Sequence, residues 1–325
     1  MTGHTAPLAA TALALVVAAT GCSTESGSAD DMSELTLRVG DQIAGAEPLL
    51  EAAGELEDTP YEIEWSTFTS GPPLLEAMHA DAVDIGQVGN TPPVFAAAAD
   101  SSVRIVSAFD TTPDGTSVIV PTGSDIEEPA DLQGASVAVA RGSSAHGLLL
   151  GILDAEGLDF DDLDVNYVQP ADALASFSEG EVDAWATWDP YVSQAGDQAE
   201  AEILVNAEGH TNTFNFQVAS EDALGDPVRE AAVEDYVERI NSAVEWSREH
   251  PEEYAQVWAE HSGLPAEITE LAAERREPSP RPVDAALIEE QQVLADNFAE
   301  AGEIPSAPDM SEFVDDRFDH LVPSS

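Results

Sequence analysis

Gly142-Ser143-Ser144-Ala145-His146 lies between Ser136–Ala140, whose alternation reads as a strand, and an apolar-periodic segment from Ala145 that reads as a helix. A glycine-serine turn at a helix start presents N–H and O–H donors at the positive end of the helix dipole. That is chemistry suited to an oxyanion. The same five residues also fit an ordinary serine cap that needs no ligand.

The surrounding composition favours the first reading. The chain of 325 residues carries 64 Asp+Glu against 10 Lys+Arg, all of the latter arginine, yet Ser136–Gly151 holds Arg141 as its one formal charge. Trp65–Leu75, Ile85–Ala99 and His210–Ser220 are equally free of acids. Buried strands lack charge in any protein. The polar pairs Ser70-Gly71, Asn90-Thr91, Ser143-Ser144 and Asn212-Thr213 are different, because each falls in a loop beside a predicted strand, where open α/β sheets present ligand-binding groups.

Catalysis has little support. There is no P-loop and no G-x-S-x-G elbow, and the 7 histidines lack metal-ligand spacing, so no metal or cofactor is expected. A formal net charge of −54 makes nucleic acid an improbable partner. It fits a surface of carboxylates working at high salt, and folding is expected to depend on salt. At about 1 M salt the Debye length is roughly 3 Å, so those carboxylates hardly act on a buried anion site.

The elements that must position these loops alternate along the chain. Strands are expected at Leu35–Val39, Tyr61–Phe68, Ile85–Val88, Val103–Ala108 and Ser117–Val120, with helices over Glu47–Glu57, from Pro72, and over Pro92–Ala99. Beyond Gly123 the rhythm restarts with Ser136–Ala140, Ala145–Glu156, Val165–Val168, Ala171–Glu179 and Asp183–Thr187. Such repetition implies parallel sheets covered by helices. After Phe214–Ala219 strands are expected to stop, residues 227–301 reading as helical. The fold class is therefore α/β with two lobes, lobe I from 34–111 plus 213–325 and an inserted lobe II from 112–212. Thr111–Asp114 and Glu208–Thr213 form the two hinge crossings.

Residues 1–21 read as a signal peptide, with an h-region at Leu8–Thr20, and 22–33 as a tether. Ala19-Thr20-Gly21-Cys22 resembles a bacterial lipobox. Cys22, the lone cysteine, is then a lipid attachment point at the outer face of the cell membrane. A leader cut by an ordinary signal peptidase, with Cys22 incidental, is the other reading.

Three longer motifs occur in order: Asp84-Ile85-Gly86-Gln87-Val88-Gly89-Asn90-Thr91-Pro92-Pro93-Val94-Phe95, then Gly142–His146, then Glu181-Val182-Asp183-Ala184-Trp185-Ala186-Thr187-Trp188-Asp189-Pro190-Tyr191. Together they closely resemble the substrate-binding proteins of aliphatic sulfonate ABC importers. The resemblance implies a type II periplasmic-binding fold, a monomer that closes on a small anion such as an alkanesulfonate or taurine and docks on an ABC permease with its ATPase. Relatives in the wider family bind nitrate or thiamine precursors. A phosphonate, or an enzyme of the pyrimidine-precursor synthase type using His146, are further alternatives.

A sulfonate spreads one permanent charge over three oxygens, so neutral donors suit it. On lobe II these are Gly142, Ser143, Ser144 and Ala145. On lobe I they are Gln42, Ser70, Gly71, Asn90 and Thr91, each of which also fits a cap or a helix start. Trp188 is placed against the alkyl part, or in the core. Asp189 receives an amino group, as taurine would offer, or caps the next helix.

Overall fold

A computed structural model describes residues 1–3, 32–43 and 45–323. Cys22, with the rest of residues 4–31, lies outside the described residues. No helix among the described residues is long and apolar enough to cross a membrane.

Among the described residues eleven strands run in chain order: β1 Thr36–Gln42, β2 Glu62–Phe68, β3 Ile85–Gly89, β4 Val103–Asp110, β5 Thr116–Pro121, β6 Ser136–Val139, β7 Asp164–Tyr167, β8 Ala184–Trp188, β9 Ala201–Asn206, β10 Asn215–Ser220 and β11 Ser279–Arg281. They form a six-stranded sheet in the order β11-β4-β10-β3-β1-β2 and a five-stranded sheet in the order β7-β6-β8-β5-β9. The chain leaves the first sheet after Asp110, builds the second, and returns at Asn215.

Neither sheet is purely parallel, which corrects the expectation from the βα rhythm. β10 runs antiparallel between β3 and β4, and β5 runs antiparallel to both β8 and β9. β10 and β5 are each the first strand laid down after the chain changes sheet, where no crossover helix fixes its direction, and the short edge strand β11 also runs antiparallel to β4. Two strands escaped the pattern. β9 carries polar residues on both faces, and β11 is three residues, Ser279, Pro280 and Arg281, on the edge of the first sheet beside β4. The strands therefore do not end at Ala219. The helix expected over Glu47–Glu57 spans Ala46–Ala52, because Gly54 takes a φ of +76° and stops it.

Cores lie on both faces of each sheet. In the first, Tyr236, Ile240 and Trp258 fill one face and Leu74, Phe216 and Phe298 the other. In the second, Leu148 and Ile152 pack on one face and Phe177 and Trp185 on the other. Most arginines sit against carboxylates: Arg38 and Arg229 both bond the buried Asp84, Arg239 pairs with Asp235 and Arg317 with Asp315. They therefore build no basic face.

Candidate functional site

The two passages between the sheets are lashed to each other. Thr111 Oγ1 donates to the Thr213 carbonyl at 2.7 Å and Thr213 Oγ1 donates back to the Thr111 carbonyl at 2.5 Å. A reciprocal pair of this kind fixes the spacing of the crossings while leaving the sheets on either side as separate bodies. Over it, between the sheets, lies a cleft of about 910 Å³, part of it open to solvent.

Three helices start at this cleft, Gly71–His79, Thr91–Ala98 and Ser144–Glu156, and none has an acid in its first turn. Gly71, Asn90, Ser143 and Ser144 all line it. Ser143 caps the third helix, its hydroxyl accepting from the His146 N–H at 3.4 Å, and the N–H groups of His146 and Gly147 also reach the Ser143 carbonyl. The N–H groups of Ser144 and Ala145 take no protein acceptor among the described residues. Two donors at the positive end of a helix are thus left for something else. Gly142 turns the chain into the helix at a φ of +72°. Neither Gly142 nor the buried side chain of Ala145 forms part of the cleft wall.

The first lobe contributes differently from expectation. Gln42 lines the cleft and gives one N–H of its amide to the Gln87 carbonyl at 2.9 Å. Asn90 spends its amide on Thr211 Oγ1 at 3.2 Å and the Asn212 carbonyl at 2.6 Å, while Thr91 Oγ1 donates to Asn90 Oδ1. The pair ties the cleft floor to the second crossing. Ser70, fully buried, donates to Gln169 Oε1 of the inserted lobe at 3.0 Å and, like Thr91, is not part of the wall.

At the opposite side Trp188, the last residue of β8, is half-buried in the wall and meets Tyr191 edge to face at 6.0 Å. Asp189 is buried. Its Oδ1 accepts from the Ser193 N–H and hydroxyl at 3.1 and 2.6 Å, the Arg275 guanidinium stands 3.7 Å from Oδ2, and desolvation by burial holds its pKa above the ordinary value. Asp41 is a second buried acid at the rim. It accepts from the N–H groups of Gln42, Ala46 and Glu47, and desolvation raises its pKa too. Both acids are spent on helix starts rather than facing an anion.

The lobes are in contact. A Cβ placed on Gly89 of β3 would come within 2.0 Å of Ser144 Oγ and 3.2 Å of its Cβ, so any larger residue here displaces the Ser144 hydroxyl. On the outside, Arg141 pairs with Glu303 Oε2 at 3.0 Å and lies 5.2 Å over the Tyr167 ring, joining lobe II to the segment after helix Ala285–Glu300. His146 is enclosed by Phe95, Phe160, Tyr167 and Phe298 at centroid distances of 5.0 to 5.8 Å and accepts from the Gly142 N–H at 3.2 Å. Desolvation, with a smaller contribution from Arg141, lowers its pKa from 6.5 to about 3. It is a neutral core residue off the cleft.

Arg276 was missed. It lines the cleft, with its guanidinium 5.8 Å over Trp258 and its carbonyl accepting from the Thr112 N–H at 3.4 Å. Its signal in sequence is an arginine among acids, Glu274-Arg275-Arg276-Glu277, where periodicity does not tell which arginine turns inward.

The NMT1-like family matches residues 38–209. An Escherichia coli (strain K12) protein, provisionally named aliphatic sulfonates-binding, is 33% identical over 293 residues, 88% of this chain and 90% of that one. The solved alkanesulfonate-binding protein SsuA of Xanthomonas axonopodis pv. citri, bound to MOPS, is 33% identical with a TM-score of 0.79 over 86% of this chain and 97% of that one. The periplasmic aliphatic sulphonate binding protein SsuA of Escherichia coli is 32% identical with a TM-score of 0.74, over 86% and 91% of the two chains. The fold is accordingly the two-lobed α/β fold of periplasmic binding proteins.

Proposed function

Starting from the fact that the chain belongs to the NMT1-like family, and from its likeness to sulfonate-binding proteins, we propose that it holds an aliphatic sulfonate, an alkanesulfonate or taurine, between its two lobes. It works outside the cytoplasm, anchored by lipid on Cys22, and hands the ligand unchanged to an ABC permease with its ATPase. Residues 34–111 with 213–325 and residues 112–212 close on each other about the Thr111–Thr213 lashing.

The observation that carries this reading is the unclaimed N–H of Ser144 in the cleft wall, with that of Ala145 next to it, at a cleft where three helices start without an acid in their first turn. A sulfonate stays ionised at any working pH, so neutral donors and helix dipoles hold it without a proton being exchanged. Trp188 supplies an apolar wall for the alkyl part, and Gln42 and Arg276 complete the site. Nitrate shares the anionic head and lacks that tail, whereas a phosphonate keeps a tail but exchanges a second proton near neutral pH. A thiamine-precursor pyrimidine lacks the charge. The enzyme alternative placed its chemistry on His146, which here is walled in by rings and held neutral.

Thermal-shift and calorimetric titration test the proposal. Ethanesulfonate or taurine at 100 times its dissociation constant is expected to stabilise the protein by about 2.7 kcal/mol. Ser143→Ala with Ser144→Ala is expected to weaken binding without unfolding the chain. Melting that responds to a pyrimidine precursor and not to sulfonates, or an unchanged affinity in the double variant, refutes it.

A further inference from the structure

Behind the sulfonate cleft lies a second and larger cavity, of about 1700 Å³ including its open mouth. Gly45, Gln87 and Arg276 belong to the walls of both, so the two spaces are separated by the thickness of single residues. The second cavity sits over the face of the first sheet that carries Gln87 and Phe109, beneath the end of helix Pro227–Glu249 and the start of helix Pro251–Ser262. Its inner walls are Leu49, Phe109, Ile240, Val244 and Tyr254, all buried. Its rim carries Glu245, Glu249, Glu274 and Glu277 with Arg248.

We propose that this cavity receives the tail of the bound sulfonate, passing beside Arg276, and so selects alkanesulfonates with long apolar tails that end without a second negative charge. The inference rests on the head-group reading above. Apolar walls of this kind gain from each methylene moved out of water, about fourfold in affinity for one that is fully buried. A lining with four carboxylates to two guanidinium groups, of which Arg276 lies on the cleft side, repels an anion at the far end of the tail. A head group held at the Ser144 and Ala145 amides leaves the alkyl chain as the only part free to enter.

Calorimetry with ethanesulfonate, hexanesulfonate and α,ω-hexanedisulfonate decides the matter. Hexanesulfonate is expected to bind at least about 10-fold more tightly than ethanesulfonate, and the disulfonate more weakly than hexanesulfonate. Val244→Trp, which fills the second cavity, is expected to bring the hexane-to-ethane affinity ratio towards one, and Ala273→Phe at the same wall serves if the first variant does not fold. Equal affinity for the two monosulfonates, or a ratio that survives both fillings, overturns the tail site and leaves the head-group reading standing. Failure of both sulfonates to bind removes the head-group reading itself.

Discussion

Three of the helix starts at the cleft are built on the opposite rule to the helix starts on the outer surface. Outside, Asp226 caps Pro227–Glu249 by accepting from the Val228 and Arg229 N–H groups, and Asp284 caps Ala285–Glu300. Glu252 and Glu253 sit in the first turn of Pro251–Ser262, and Glu267 in that of Ala266–Glu274. At the cleft the helices from Gly71 and Thr91 have no side-chain cap, and the one from Ser144 has only a neutral serine. In a chain with 64 carboxylates, leaving three positive helix ends without one withholds stabilisation of about 0.3–1 kcal/mol at each. Where the fold forgoes its own anion, it leaves room for one from solution.

Acid breaks the contrast most severely. The first turn of the cleft helix holds His146 as a neutral imidazole facing Arg141, Tyr167 and Glu303, and its pKa is depressed to about 3 from 6.5. A base whose folded pKa is lowered contributes stability that is complete above pH 6.5 and lost as pH falls towards 3. Chemical unfolding across that window is expected to show a loss on the order of 3–5 kcal/mol attributable to this residue, and a flatter profile in His146→Gln. Parallel profiles for the two proteins contradict the assignment.

Next in size is the contact between lobes. Gly89→Ala drives a methyl into Ser144 Oγ and is expected to weaken sulfonate binding roughly 10- to 100-fold, the cost of overpacking a tight contact, while the lobes still fold. Wild-type affinity in this variant means that Gly89 and Ser144 do not meet when ligand is bound.

The smallest effects sharpen the rule itself. Ser143→Asp keeps a good cap but puts a carboxylate in the cleft, and should cost about 10-fold in sulfonate affinity with no loss of melting temperature. Ala266→Asp makes the matching change at an exposed outer start, where the expected gain is about 0.3–1 kcal/mol of stability and binding is untouched. If the two substitutions affect binding alike, the cleft is not the anion site.

The turn at Ser143-Ser144 was legible because its chemistry is local. A serine cap, a glycine with positive φ and a helix without early acids all lie within ten residues of each other. Asn90, Thr91 and Ser70 were legible as polar loop residues, but not in what they bond. Their partners Asn212 and Thr211 come from the second crossing and Gln169 from the inserted lobe, and a hydrogen bond of that separation in sequence leaves no mark in either segment. β11 was invisible for a related reason. Three residues with a proline carry no period, and only β4 alongside makes them a strand.

By itself the sequence determined the α/β alternation, the core faces of the helices and the absence of acids around four loops, because each follows from short-range periodicity and from the cost of burying charge. Tertiary structure alone decided which strands run antiparallel, which polar side chains are consumed holding the lobes together, and that Arg276 rather than Arg275 turns into the cleft. Those outcomes depend on groups far apart in the chain competing for the same hydrogen bonds and the same space, and that competition is settled only when the two sheets face each other.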